Sequence, residues 1–343
     1  MDSPDVHVLS VGTALPGPPV DNTALARRFG MDPLWEQWVD VFVGTRTRHL
    51  SFDLPTGTVR STLAELGAEA ARTALARAGV GPDEVDLVVM GTATPDALMP
   101  ATVNVVADLL GIDGVPTYQL QSGCAGAVQA LDVAARLLAT GAGSTALVVA
   151  GDVSTKFFDL SLDLTKLAPA ELVNVVLFGD GAGAAVLSTA AAPGAAVIRR
   201  LLNQLVGRGR APGHQLNWFG PADRDADVPG ALEDYTAIAE SVPQLALEVL
   251  EELLAGLGWT RADLSYLLPP QLNVRMTEQI VARLAVPAAN EISCVQDTAN
   301  TGNALPFLQL EQALDKMASG ERLIGVAIES SKWIKSGFAL ERV

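Results

Sequence analysis

The chain has 343 residues, 49% hydrophobic and 18% charged, with a formal net charge of −16. That length and apolar content allow about two domains with a large core and leave little room for long disorder. The acidity excludes the basic balance of a nucleic-acid binder, and two cysteines, Cys124 and Cys294, make neither a disulfide framework nor a multi-cysteine zinc site.

The opening MDSPDVHVLSVG has early acids and no basic segment ahead of an apolar run, so it is expected to be a first strand and not a targeting signal. No stretch of 18 apolar residues occurs, so no membrane span is expected and a cytoplasmic location is the default. TLAELGAEAARTALARAG predicts a helix, VDLVVMG a strand, AVQALDVAARLLATG a helix, and STALVVAG and AGAAVLS two strands. Arg199–Pro229 is rich in Gly, Pro and Arg and is expected to be a long surface excursion. Beyond it, ALEDYTAIAESVPQLALEVLEELLAGLG, TEQIVARLAV and PFLQLEQALDKMASG predict helices, and LSYLLPP, RLIGVAIE and GFALERV predict strands.

The chain repeats itself. Gly79, opening GVGPDEVDLVV, and Gly258, opening GWTRADLSYLL, stand 179 residues apart, as do Gly141 and Gly320, each followed by an apolar strand. Two α/β halves, 1–185 and 186–343, are expected around a pseudo-twofold axis. At the same offset Cys124 corresponds to Asn303, so two strand-to-helix corners of different chemistry should meet mid-molecule.

SGCAGA places Cys124 among small residues just ahead of a helix. Two readings stand: a packed core cysteine, or a nucleophile whose thiolate the helix N-terminus favours, lowering its pKa. Its N–H is then a donor for an oxyanion on an attacked thioester. Asp180 lies between glycines, where an Asp bonds backbone. GDGAGA lacks the helix and acidic residue of a dinucleotide fingerprint, which argues against NAD.

SGCAGA, LFGDGAGAAVL, GTATPD, ANTGNALP and the closing SGFALERV occur in the order found in β-ketoacyl-acyl-carrier-protein synthase III, a branch of the thiolase-fold enzymes, and the chain resembles that family over nearly its whole length. The resemblance implies a thiolase-like α/β fold, a homodimer and a Cys–His–Asn set. It makes Cys124 the nucleophile and Asn300 the asparagine, with Asn303 as the alternative. It gives Phe178 a place on the acyl pocket, and Asn303 and Gln271 contacts to substrate. The histidine of the family's Pro-His-Gln-x-Asn phrase is replaced: LLPPQLN has Pro270 there. The Gly-rich loop near the C-terminus becomes ESSKWIKSG, leaving a backbone N–H of Ser331, Lys332 or Trp333 as second oxyanion donor.

Losing one donor of an oxyanion site costs about 10²–10³ in rate, whereas cysteine acylation needs less help. The expected activity is therefore acyl transfer without decarboxylative condensation. An aromatic or short acyl group would pass from a carrier-protein or coenzyme A thioester to Cys124. From there it would go to a second carrier protein or to a natural-product hydroxyl or amine. The alternatives are a decarboxylative condensing enzyme and an inactive scaffolding relative. No metal or resident cofactor is expected, the phosphopantetheine arm arriving with the substrate. His214, beside Trp218, is the candidate relocated base and Asp297 a weaker one, while His7 and His49 are expected to be structural. Arg46, Arg48, Arg208 and Arg210 are the candidate basic patch for an acyl carrier protein.

Overall fold

The computed structural model describes residues 4–158, 160, 161, 163–167, 169–217 and 231–343. Among them ten strands form the main sheet. The first half contributes β1 (His7–Ala14), β2 (Leu87–Thr92), β3 (Thr117–Gln121), β4 (Thr145–Asp152) and β5 (Gly181–Ser188). The second contributes β6 (Ala196–Leu205), β7 (Tyr266–Leu268), β8 (Asn290–Glu291), β9 (Arg322–Glu329) and β10 (Ile334–Arg342). The strand order is β8-β7-β9-β10-β6-β1-β5-β4-β2-β3. Each half thus runs third, second, fourth, fifth, first, and the two first strands meet centrally. In both halves the second strand pairs in parallel with the third and fourth, and the fifth pairs antiparallel with the fourth and first. The junction is short: His7 and Val8 face Val197 and Ala196.

Four helices define the layers: α1 (Leu63–Ala78), α2 (Gly126–Ala139), α3 (Tyr235–Leu257) and α4 (Leu305–Leu314). A capping box, Thr62 with Glu65, starts α1, and Gly79 ends it at a φ of 66°. Side chains of a strand alternate between faces, and β2 shows the result. Val88 and Met90 pack outward with Leu66, Ala70 and Ala74 of α1, while Leu87 and Val89 pack inward with Leu131 of α2. In the second half α3 covers the outer face through Val249 and Leu253 against Ile324 and Val326. Helices α2 and α4 lie between the halves, where Leu131, Leu138, Phe307 and Leu310 share one cluster with Val148, Leu268 and Phe338. This is the thiolase-like α/β arrangement.

Three expectations about the elements change. A boundary at 185 falls inside β5, which stays hydrogen-bonded to β1 and β4 as far as Ser188. Arg199–Leu205 is not excursion but part of the central strand Ala196–Leu205; its arginines are exposed, Arg199 pairing with Glu341 at 2.7 Å. Ala231–Glu233 is not helical: it pairs antiparallel with His214–Leu216, and Asp234 caps α3 by accepting from Ala237 N at 2.9 Å. Residues 218–229 of the excursion, Trp218 among them, lie outside the described residues.

Candidate active site

In parallel α/β sheets, sites form beyond the carboxyl ends of the strands, and the corner carrying Cys124 sits there. β3 ends at Gln121, Ser122–Ala125 make the turn, and α2 starts at Gly126. The turn closes by Gly126 N donating to Gly123 O at 2.8 Å. It can approach β2 because Gly91 has no side chain: a Cβ there would stand 2.6 Å from the Gly126 carbonyl carbon.

Cys124 is half-buried and lies where two cavities meet. One is apolar, walled by Ile238, Val242, Leu272, Leu305 and Ile328, with Pro270 and Asn300 in the same lining. The other is also mainly apolar in its exposed lining, with Phe178 and Leu216, but holds the polar side chains of Ser122, Asp152, His214, Glu329 and Ser331. Cys124 and Gly302 belong to both. Pro270, which the resemblance sets at the family's histidine position, faces the same space as Cys124 and Asn300, and its side chain can neither hydrogen-bond nor carry a proton.

The expectation of a lowered thiol pKa is overturned. Burial pushes Cys124 well above the ordinary thiol value, and the charges of Glu329, Asp152 and Glu233 push the same way. The helix terminus does not offset this, and two of its first N–H groups are already spent. Gly126 N bonds Gly123 O, and Ala127 N donates to Asn303 Oδ1 at 3.1 Å. Alkylation of the unliganded protein by iodoacetamide should therefore be slower at pH 7 than that of free cysteine. Its rate should climb with a midpoint above about pH 8.5, read by peptide mass spectrometry across pH. A midpoint below that would contradict the electrostatic account. Slow alkylation is thus no sign of an inactive relative. Cys294, buried, is pushed up to about 12, burial being the main cause.

The remaining candidates separate into those at the site and those that brace it. Asn300 lines the apolar cavity; its Oδ1 accepts from Gly302 N at 3.0 Å, and its backbone bridges to Phe178. Asn303 is a brace and not a substrate contact. It is wholly buried, and its amide nitrogen donates to Ser122 O and Asp152 Oδ2, both at 2.9 Å. Gln271 is likewise committed, Oε1 accepting from Cys294 N and Val295 N and Nε2 donating to Ile292 O. Phe178 and His214 stack in the second cavity with ring centroids 6.3 Å apart. His214 Nε2 lies 3.7 Å from Glu233 Oε1, the residue opposite it across the strand pair. Asp297 is exposed on the surface and lines neither cavity.

The arginines do not gather at the mouth. Arg48 is fully buried, with its guanidinium donating to Asn22 Oδ1 and Val176 O, and burial lowers its pKa to about 10. Arg210 stacks over Trp333 at 4.0 Å and donates to Ser241 Oγ at 2.6 Å. Arg46 and Arg208 are exposed, and neither lines a cavity with Cys124. Asp180 bonds backbone as expected, through Ser51 N and Thr155 N. His49 Nδ1 sits against Pro16 O and Gly17 O, and His7 is buried in β1. Of the proposed oxyanion donors, Ser331 N is spent on Glu329 Oε1 at 2.7 Å. Trp333 takes a left-handed φ of 61°, a backbone shape that favours glycine.

Three carboxylates were missed. Asp152 ends β4 and accepts from Ala93 N at 2.8 Å, from Thr92 and Thr94 hydroxyls, and from Asn303 N and Nδ2. Burial raises its pKa against those hydrogen bonds. Glu329 ends β9, and Glu233 holds the hairpin beside His214. The one available signal was that both eight-residue strands, TALVVAGD and RLIGVAIE, close on an acid.

Family models for 3-oxoacyl-[acyl-carrier-protein] synthase III match residues 118–203 and, for its C-terminal part, 254–330; a thiolase N-terminal model matches 39–156. A β-ketoacyl-[acyl-carrier-protein] synthase III from Rhodospirillum centenum is 33% identical over 309 residues, 90% of this chain and 89% of the relative. The chain belongs to the β-ketoacyl-[acyl-carrier-protein] synthase III family. Within this family its similarity reaches enzymes of polyketide pathways. The solved structure of AbyA1, a tetronic acid condensing enzyme, is 63% identical with a TM-score of 0.95, covering 98% of this chain and 99% of that one. The priming β-ketosynthase of the R1128 polyketide pathway is 28% identical with a TM-score of 0.82, covering 98% and 96%.

Proposed function

We propose that the chain is an acyltransferase that takes a short acyl group from a carrier-protein thioester onto Cys124 and passes it on without decarboxylation. The observation that carries this is Pro270 standing in the cavity with Cys124 and Asn300: nucleophile and asparagine kept, proton-carrying side chain gone. A tetronic acid, the product class in the name of AbyA1, suits such a site. Its ring joins a hydroxyacyl unit to a 3-oxoacyl unit by one C–C and one C–O bond. The carbon between the two carbonyls of a 3-oxoacyl thioester is already acidic, so no carboxylate has to leave to make it a nucleophile. The two cavities give space for two reactants beside Cys124, and the hydroxyl, imidazole and carboxylate side chains of the second suit a hydroxyacyl group. A hydroxyl or a second carrier thiol is an acceptor of the same kind, needing transfer but no loss of carbon dioxide.

Loading needs a base, because Cys124 rests as a thiol. His214 takes that proton and returns it to the departing carrier thiolate. His214→Ala should slow loading by about 10²-fold at pH 7, with the loss shrinking at high pH, where the thiol ionises unaided; quenched-flow mass spectrometry reads both. Loading itself is tested by intact-protein mass after exposure to a panel of acyl-carrier thioesters. An acyl increment on wild type, absent from Cys124→Ala, supports the reading, and no increment with any thioester would defeat it.

A further inference from the structure

Glu329 ends β9 as Asp152 ends β4, and the two carboxylates reach in opposite directions across the middle of the molecule. A Cβ on Gly302 would fall on Asp152 Oδ2, and a Cβ on Gly123 would fall on Glu329 Oε2. Gly123 and Gly302 are themselves 179 residues apart, the spacing of the repeat. The pair is alike in position and unlike in bonding. Both oxygens of Asp152 accept hydrogen bonds, two of them from backbone N–H groups. Glu329 accepts on Oε1 from Ser331 N, whereas its Oε2 has no partner among the described residues, although Glu329 is only 3% exposed.

A buried carboxylate oxygen without a donor is costly. Glu329 lines the second cavity, and its Oε2 lies against Gly123, the residue that precedes Cys124. Ionised carboxylates accept and do not donate; Oε2 is covered by the Gly123 backbone, so it meets a cavity occupant by a turn of the Glu329 carboxylate. Asp152, saturated by the protein, holds the frame; its counterpart keeps one oxygen that no described residue claims.

We propose that Glu329 is a catalytic residue of the acceptor half-reaction, its Oε2 removing the proton from the carbon between the two carbonyls of a 3-oxoacyl thioester. The inference rests on the acyl-transfer reading above. The C–H bond breaks with the proton going to Oε2. The electron pair attacks the acyl carbonyl on Cys124, the C–C bond forms, and the C–S bond breaks with its pair on sulfur. The proton then moves from Oε2 to the Cys124 sulfur, restoring carboxylate and thiol. An environment that disfavours the Cys124 thiolate drives that return.

The test separates this step from loading. Cys124→Ala protein cannot be acylated, yet it should speed deuterium uptake at C2 of acetoacetyl N-acetylcysteamine thioester in D2O above the buffer rate. Adding Glu329→Gln should cut that catalysed exchange by about 10²-fold or more. Glu329→Ala should do the same, and sodium formate should restore part of the rate. Exchange unchanged by either substitution, loss that formate does not restore, or no catalysed exchange by Cys124→Ala would overturn the assignment. Intact-mass loading of wild type decides the Cys124 reading separately. Exchange that depends on Glu329 in a protein that never loads would keep this residue's role and discard the acyl-enzyme.

Discussion

Cys124→Ala is expected to lower turnover by about 10⁴-fold or more while leaving the fold intact. The sulfur is where the two cavities meet, and among the described residues no other side chain lines both. Nucleophile removal in enzymes that work through a covalent intermediate costs factors of this size because the paired half-reactions vanish together. The substitution is small and the surroundings are already packed with Ala125, Gly126 and Ala127, so stability should move by less than about 1 kcal/mol. Single-turnover assays with loaded carrier protein, alongside thermal melts, check both halves of the expectation. Retained turnover would mean that transfer proceeds directly between the two thioesters.

Asp152→Ala is expected to cost about 3–5 kcal/mol of stability and to weaken loading as well. It removes the acceptor of Ala93 N, of Asn303 N and of one Asn303 Nδ2 hydrogen, along with that of two threonine hydroxyls. The effect should reach the nucleophile through Asn303, whose side chain also bonds Ser122 O and Ala127 N on either side of Cys124. Urea denaturation reads the stability, and intact-mass loading of the still-folded fraction reads the site. A loss below about 1 kcal/mol would show that water or rearrangement satisfies those donors.

What the sequence revealed was what is local or periodic. The halves were legible because a 179-residue offset repeats in glycines that end helices, and Gly79, Gly258 and Gly320 all adopt positive φ. Cys124, Asn300 and the loss at Pro270 were legible as short phrases. The electrostatics were not: Ala127 N is taken by Asn303, 176 residues away. The acids that raise the thiol come from three separated strands. His214 was found by scarcity, one of three histidines. Its partner Glu233 was hidden because Ala231–Glu233 continues, by pattern, into the helix that follows. Asn303 and Gln271 were taken for substrate contacts because an amide in a motif does not disclose which backbone groups will claim it.

The central claim is that this site transfers an acyl group and does not decarboxylate. The most direct measurement supplies acyl-loaded wild-type protein with either a malonyl thioester or a 3-oxoacyl thioester, following carbon dioxide and the mass on Cys124 together. The account predicts that the 3-oxoacyl thioester discharges Cys124 and that the malonyl thioester releases no carbon dioxide above background. Carbon dioxide released at the rate at which Cys124 is discharged would contradict it.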